Sequence, residues 1–331
     1  MDMKQSISND QPLRILLVKT SSLGDVLHNL PVVSDIVKNY PNAQIDWLVE
    51  EGYAALPKLH PKVNNVIPVS LRSWRGKLLN AATWHEFSKF RKALSANQYD
   101  FVIDTQGLLK SALLMLGSQG LRCGLDWHSA REPLASLMYQ RSYVVALDQH
   151  AVERNRKLVS QALGYNLSGR AEFAIHSTNL IQPEWLENES YAVLLHSTSR
   201  ANKLWDESNW IALGKFLQQS NVRSILPWGN DTEKLRSLRL ASAIPNAITP
   251  PRLTLRDAAS LIGNAYAVIG VDTGLTHLSA ALNVPTIGIY TSTDPKLTGL
   301  YEGPRVINLG GIFLVPELTA VIDAIHQVTM L

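Results

Sequence analysis

The carboxylate of Asp25 closes the stretch KTSSLGD at residues 19–25, where an apolar run gives way to an amphipathic one. A carboxylate in that place can satisfy the orphan amides of a helix start, or it can take a proton from a bound hydroxyl as a general base. The residues themselves leave both roles open. Gly24, beside it, allows close backbone approach. In HSTSRANK, residues 196–203, Ser197, Thr198 and Ser199 offer hydroxyls while Arg200 and Lys203 offer positive charge, a mixture suited to phosphate oxygens. A polar loop ahead of a helix has the same composition, and His196 reads as a satisfied strand-end residue. In VIGVDTGLTHLSAAL, residues 268–282, Asp272, Thr273 and Gly274 lie between a buried strand and a helix, with His277 one turn further on. Free amides at such a helix start, with the helix dipole behind them, favour a diphosphate. In ILPWGNDTE, residues 225–233, Glu233 is placed either to accept a hydrogen bond from a sugar hydroxyl or to serve as a first-turn helix acid.

Several chemistries are excluded by what the motifs lack. Neither GxGxxG nor GxxxxGK[ST] is present, so the first loop is no ordinary dinucleotide or P-loop site. There is no Asp-X-Asp, no HExxH and no Cys/His cluster, so no metal site is expected. Helix amides, hydroxyls and Lys203 are left to neutralise a leaving diphosphate.

The elements that must position these loops follow a strand–helix alternation, the pattern of βαβ units around mostly parallel sheets. Apolar runs predict strands at 13–19, 44–49, 65–69, 100–104 and 121–124, with helices at 26–39, 84–96, 108–116 and 151–163. Periodicity fades across GYNLSGRAEFAIHS, residues 164–177, and then the alternation begins afresh. Strands are predicted at 191–195, 223–226, 267–271 and 286–289, and helices at 208–218, 232–242, 255–262 and 275–282. A last helix over 316–330 is a candidate to return to the first domain. The expectation is an α/β chain of two doubly wound domains, 1–170 and 171–331, whose strand ends face a central cleft.

With 331 residues, 46% of them apolar, the chain can bury two cores of about 100–200 residues each. Cys123 is the only cysteine, which rules out an intrachain disulfide and fits a reducing cytoplasm. The opening MDMKQSISNDQ has no apolar core, and no run reaches the ~18 apolar residues of a membrane span. Charge is uneven: residues 1–170 hold 20 Lys plus Arg against 14 Asp plus Glu, and residues 171–331 hold 11 against 14. The basic excess suits an anionic partner for the first half. A nucleic acid is not expected, because there is no basic tract or binding motif.

Taken in order, KTSSLGDVLHNLP, EEGY at 50–53, DTQGLLKS at 104–111, AREPLAS at 130–136, HSTSRANKLW and VDTGLTHLSAAL resemble the lipopolysaccharide heptosyltransferases of glycosyltransferase family 9. EEGY and AREPLAS tilt the resemblance to type I over type II, which shares the GD and DTGxxH loops. The resemblance implies a glycosyltransferase B fold and an inverting transfer of L-glycero-D-manno-heptose from ADP-heptose to the first Kdo of Kdo2-lipid A, with no cofactor. It also implies work at the cytoplasmic face of the inner membrane, which the protein would touch transiently and peripherally. Asp25 resembles the catalytic base, with Lys203 assisting departure of the diphosphate. Thr198, Ser199, Lys203, Glu233, Leu253, Asp272, Thr273, Gly274 and His277 match donor-contacting positions; Ser199 replaces Thr and Leu253 replaces Met. Ser22, Gly24, Arg72, Arg75, Gln106 and Arg131 match the acceptor side, where Ser73 and Gly76 thin a cluster that is more basic in close relatives. A nucleotide-sugar epimerase and a non-catalytic nucleotide-sugar sensor are the rival readings on the same architecture.

Overall fold

The computed structural model describes residues 12–76, 80–176, 186 and 189–330; the side chains of Arg72 and Arg75 lie outside that set. Two compact units meet in the chain at Ala174 and Ile175.

In the first unit the order is β1 (Arg14–Val18), α1 (Leu23–Leu27), α2 (Leu30–Asn39), β2 (Gln44–Glu50), β3 (Asn65–Val69), α3 (Leu71–Arg75), α4 (Ala81–Ser95), β4 (Gln98–Asp104), α5 (Leu109–Met115), β5 (Gln119–Leu125), β6 (Arg141–Tyr143) and α6 (Ala151–Leu163). The six strands form one parallel sheet in the order β3-β2-β1-β4-β5-β6. β1 is central, and Ile15, Leu16, Leu17 and Val18 are wholly excluded from water, as expected of a parallel strand covered on both faces. Because chain order reverses beside β1, the loops that follow β1 and β4 emerge next to each other at the carboxyl edge.

The single helix expected over 26–39 is broken into α1 and α2. Pro31 lacks an N–H and cannot continue a preceding turn, but it fits the first turn of a new helix, where α2 places it. A bidentate, buried pair between Arg156 of α6 and Asp35 of α2, at 2.7 and 3.0 Å, fastens these helices to each other. The edge strand β6, with the polar sequence RSY, carries no apolar run and was not expected.

The second unit runs β7 (Tyr191–Leu195), α7 (Glu207–Gln219), β8 (Arg223–Ile225), α8 (Asp231–Ala243), α9 (Leu255–Gly263), β9 (Ala267–Val271), α10 (Gly274–Ala281), β10 (Thr286–Tyr290), α11 (Pro295–Thr298), β11 (Val306–Gly310) and α12 (Leu318–Thr329). Its parallel sheet has the order β11-β10-β9-β7-β8, so the reversal falls between β7 and β9. The loops after β7 and β9 therefore adjoin. β7, β9 and β10 are buried along their length, and Trp205 and Trp210 anchor the same core. Val321, Ala324, Ile325 and Val328 of α12 join it as well.

Candidate active site

In the first unit the loop between β1 and α1 is built from within. Ser22 is the N-cap of α1 and Asp25 its third residue, so Asp25 is not itself the cap. Asp25 Oδ2 accepts from the Ser22 amide at 2.8 Å and the Ser22 hydroxyl at 2.9 Å, the reciprocal half of a capping box. Asp25 is half-buried, and no hydrogen bond to its Oδ1 forms among the described residues. One oxygen fixes the carboxylate, and the other can take a proton. The helix-start role that the sequence leaves open is met through the capping box, and the second oxygen is left for the other.

Behind this loop, Gln106 Oε1 accepts from the amides of Thr20 at 2.7 Å and Ser21 at 3.1 Å, while its Nε2 donates to the Ser21 carbonyl. Gln106, expected on the acceptor side, is buried, and its amide holds the loop in shape. This is the consequence of the β1–β4 adjacency. Gln106 is in turn set by Asp104, buried at the end of β4, which accepts from the amides of Gln106 and Gly107 and the hydroxyls of Ser111 and Tyr139. Burial pushes the Asp104 carboxyl up, and these four hydrogen bonds pull it back. Lys19, also buried, donates to the Thr105 carbonyl at 2.7 Å and to Asn155 Oδ1 at 3.3 Å. Burial lowers its ammonium, against the charges of Asp25 and Asp104. Lys110 Nζ reaches Ser21 Oγ at 3.0 Å, a contact that the sequence did not suggest.

Of the other acceptor-side residues, Ser22 is exposed, Gly24 is half-buried within α1, and Arg131 is exposed at the entrance to a 3-10 turn over Pro133–Met138. Arg72 and Arg75 lie on α3, with side chains outside the described residues. α3 borders a cavity floored by Ile67, Trp74 and Phe90 and rimmed by Glu51, Glu86 and Lys89. Glu51 of the EEGY stretch accepts from Ser70 Oγ at 2.8 Å, which ties that motif to the start of α3.

In the second unit the loops after β7 and β9 converge on Asp272. Lys203 Nζ donates to its Oδ2 at 2.6 Å, Thr293 Oγ1 donates to the same oxygen at 2.8 Å, and His277 Nε2 lies 3.7 Å from Oδ1. Thr198 Oγ1 donates to the Asp272 carbonyl at 2.9 Å. Burial would raise this carboxyl, but the hydrogen bonds from His277, Lys203 and Thr293 outweigh it and hold the group well below the usual carboxylate range. Asp272 thus stays ionised and aims Lys203. Next to this pair α10 opens with Thr273 as N-cap and Gly274 as first residue, and the Thr273 side chain makes no capping bond. Gly270 lets α10 lie close: a Cβ there would stand 2.2 Å from Thr276 Oγ1. An ammonium beside uncapped helix amides is an anion-binding arrangement.

Thr293 was missed by sequence reasoning. Its signal is the hydroxyl-rich TSTDP that follows β10 at the same sheet edge. Ser199 is exposed in the 196–203 loop. His196 is fully buried, bonded to Ser237 Oγ at 2.9 Å and Ser197 Oγ at 2.8 Å, and burial depresses it to about 3. It is a neutral structural residue, as expected. Glu233 stands apart from the Asp272 cluster: Oε2 accepts from the Gly229 amide at 2.7 Å and Oε1 from Asn230 Nδ2 at 2.9 Å, at the start of α8. Leu253 is half-buried just ahead of α9. The Trp228–Pro250 hydrogen bond of 2.8 Å links the segments that carry these two residues. Among the described residues, no group of three His, Cys, Asp or Glu side chains is placed to hold a metal ion, and no helix is long and apolar enough to cross a membrane.

Known proteins match this chain along most of its length. The family model of glycosyltransferase family 9 (heptosyltransferase) matches residues 87–317. Lipopolysaccharide heptosyltransferase 1 of Salmonella typhimurium is 45% identical over 291 residues, which cover 87% of this chain and 92% of that protein. The structure of E. coli heptosyltransferase WaaC with ADP superposes with a TM-score of 0.88 at 42% identity, over 95% of this chain and 99% of that one. The same enzyme with ADP-2-deoxy-2-fluoro heptose gives 0.84 at 41% identity, over the same shares. With two doubly wound parallel sheets in the glycosyltransferase B fold and this likeness along most of its length, the chain belongs to glycosyltransferase family 9, the heptosyltransferases.

Proposed function

We propose that this glycosyltransferase moves L-glycero-D-manno-heptose from ADP-L-glycero-D-manno-heptose to the first Kdo of Kdo2-lipid A, with inversion and without a cofactor. The observation that carries this reading is the 45% identity to a heptosyltransferase 1 across 87% of the chain. The relative bound to an ADP-fluoroheptose supports the donor.

In the reaction a Kdo hydroxyl oxygen bonds to the heptose anomeric carbon as the bond from that carbon to the ADP oxygen breaks. Asp25 Oδ1 receives the hydroxyl proton, and ADP departs with the electron pair. Asp25 is suited to this because its other oxygen is fixed by Ser22, so the carboxylate is oriented before substrate arrives. Lys203, aimed by Asp272, and the first amides of α10 stabilise charge growing on the diphosphate. Thr198 and Ser199 supply hydroxyls to the same oxygens. Glu233 takes ribose or sugar hydroxyls in place of its local partners, and Leu253 offers an apolar wall to adenine. Ser22, Gly24, Arg72, Arg75, Gln106 and Arg131 are the residues we assign to the anionic acceptor, which the first unit meets at the cytoplasmic face of the inner membrane. Nucleic acid has no part in this reading.

Product analysis tests it. ADP-heptose and deacylated Kdo2-lipid A, incubated with the enzyme, are expected to yield an acceptor heavier by one heptose plus free ADP. Release of an altered nucleotide sugar without acceptor would point to an epimerase, and transfer only to an acceptor that already carries heptose would point to the type II activity.

A further inference from the structure

On the first unit, α5 packs against the 3-10 turn Pro133–Met138, and both elements have an inner face that is already filled. Ala112, Leu114 and Met115 are buried under α5, and Ala135 is buried under the turn. On the outside the same two elements present leucines: Leu113 is 50% exposed, Leu116 45%, Leu134 53% and Leu137 66%. Each pair is spaced by three residues, which places both members on one side of its element. These leucines are therefore surplus to the core, and they adjoin across two contacting elements.

The charges around them are mostly positive. Arg131 is exposed at the start of the turn, Arg122 Nε donates to the Met138 carbonyl at 3.3 Å, and exposed Arg91 of α4 lies beside Gly117 at the end of α5. Residues 108–116 and 131–139 contain one acidic side chain, Glu132, and its Oε2 is held by the Leu109 amide at 2.7 Å. A two-fold contact with a second copy would bring these cations against one another, whereas an anionic lipid surface attracts them and takes up the leucines.

We infer that this face, centred on Leu113, Leu116, Leu134 and Leu137, seats the enzyme on an anionic phospholipid bilayer by shallow insertion of the leucines. The inference rests on the proposed lipid-linked acceptor, and the position of the face fits that chemistry. Lys110, one helical turn before Leu113, contacts Ser21 in the loop that carries Asp25. A bilayer resting on α5 would lie roughly 5–10 Å along the helix from that loop, within reach of a headgroup sugar.

Vesicle co-sedimentation tests this with the full chain, using phosphatidylglycerol/phosphatidylethanolamine vesicles against pure phosphatidylcholine. Transfer is measured in parallel with deacylated acceptor and with acceptor embedded in vesicles. The wild type is expected to bind the anionic vesicles and to keep part of that binding at about 0.5 M NaCl, where purely ionic attachment is screened. Leu134→Gln/Leu137→Gln should lower vesicle binding by about tenfold or more, through loss of two partly inserted apolar side chains. It should slow transfer to the embedded acceptor and leave transfer to the deacylated acceptor unchanged. Leu137→Gln alone, at the most exposed of the four positions, repeats the test in a smaller step should the double variant fold poorly. Leu235→Gln, an equally exposed leucine on α8, is the control. Vesicle binding by the variants equal to wild type overturns the inference, as does a wild-type dimer in light scattering that the double variant splits. Transfer to deacylated acceptor without any vesicle binding would sink this inference alone; vesicle binding lost in the variants, with no transfer to either acceptor, would sink the proposed acceptor instead.

Discussion

The chemistry of the second unit depends on one oxygen, Asp272 Oδ2, gripped by Lys203 at 2.6 Å and Thr293 at 2.8 Å. In the proposed reaction, removing the lysine removes a charge-assisted contact to the diphosphate and leaves Asp272 facing the anion. Lys203→Ala should raise the ADP Kd and lower kcat/KM by about ten- to a hundredfold, the worth of roughly 1.5–3 kcal/mol for a bond to a charged group. Isothermal titration with ADP and steady-state kinetics would read both. Thr293→Val should cost less, about three- to tenfold in kcat/KM, and Thr293→Ser should restore most of it, because the hydroxyl and not the methyl makes the bond. Equal defects in the Val and Ser variants would remove Thr293 from the donor site. Much of this site is legible in the sequence, since Lys203, Asp272, Thr273 and Gly274 stand in loops directly after strands. Thr293 is not, because its role comes from the position of β10 beside β9, a neighbour relation that strand periodicity does not encode. Gln106 is visible as a loop residue, but its inward turn depends on which strand adjoins β1.

At the scale of elements, the site exists because two strand ends emerge side by side at each chain reversal. The approach of α10 to β9 is set by Gly270, where a Cβ would meet Thr276 Oγ1 at 2.2 Å and the Leu195 Cβ at 3.0 Å. Gly270→Ala should destabilise the protein by about 1–3 kcal/mol through overpacking, and should weaken ADP binding by displacing the helix start. Thermal melting with and without ADP separates these effects: an unchanged melting temperature and ADP affinity would contradict the close fit. The central strands were legible because each is built on a short apolar core, and helices such as α6 and α9 because their apolar periodicity is strong. Of the edge strands, β3 and β8 were legible and β6 and β11 were not. RSY of β6 is polar, and VINLG of β11 is half-buried along its length, so neither carries the signature of a strand covered on both faces. The break between α1 and α2 could have been read from Pro31, which favours the first turn of a helix over its middle.

At the scale of the whole molecule, burial makes the protein sensitive to acid. His60 is depressed to about 4, with its Nδ1 accepting from the Lys62 amide, and His196 to about 3, both chiefly by burial. Both are neutral in the fold, whereas in the unfolded chain they protonate near pH 6.5, so between those values the unfolded state binds more protons. Their contribution is complete above about pH 6.5 and is lost on acidification toward 4 and 3, at about 1.4 kcal/mol per pH unit for each histidine. Asp272 adds a loss of its own lower down, below about pH 4, where the unfolded carboxyl becomes protonated while the folded one is still charged. Urea unfolding at pH 7.5 and pH 5 should show a lower midpoint in acid, and His196→Gln should reduce the difference; identical pH slopes in the two proteins would mean that His196 does not titrate on unfolding. The central claim is that Asp25 is the base of an acceptor-dependent heptose transfer. It is tested most directly by ADP release from ADP-heptose, with and without deacylated Kdo2-lipid A, for wild type and Asp25→Asn. Asn can still accept from the Ser22 amide and so preserves the helix start, which isolates the loss of the base. Release is expected from wild type only when acceptor is present, with a fall of about 10²- to 10⁴-fold in the variant and an unchanged ADP Kd; equal release by both proteins would show that Asp25 is not the base.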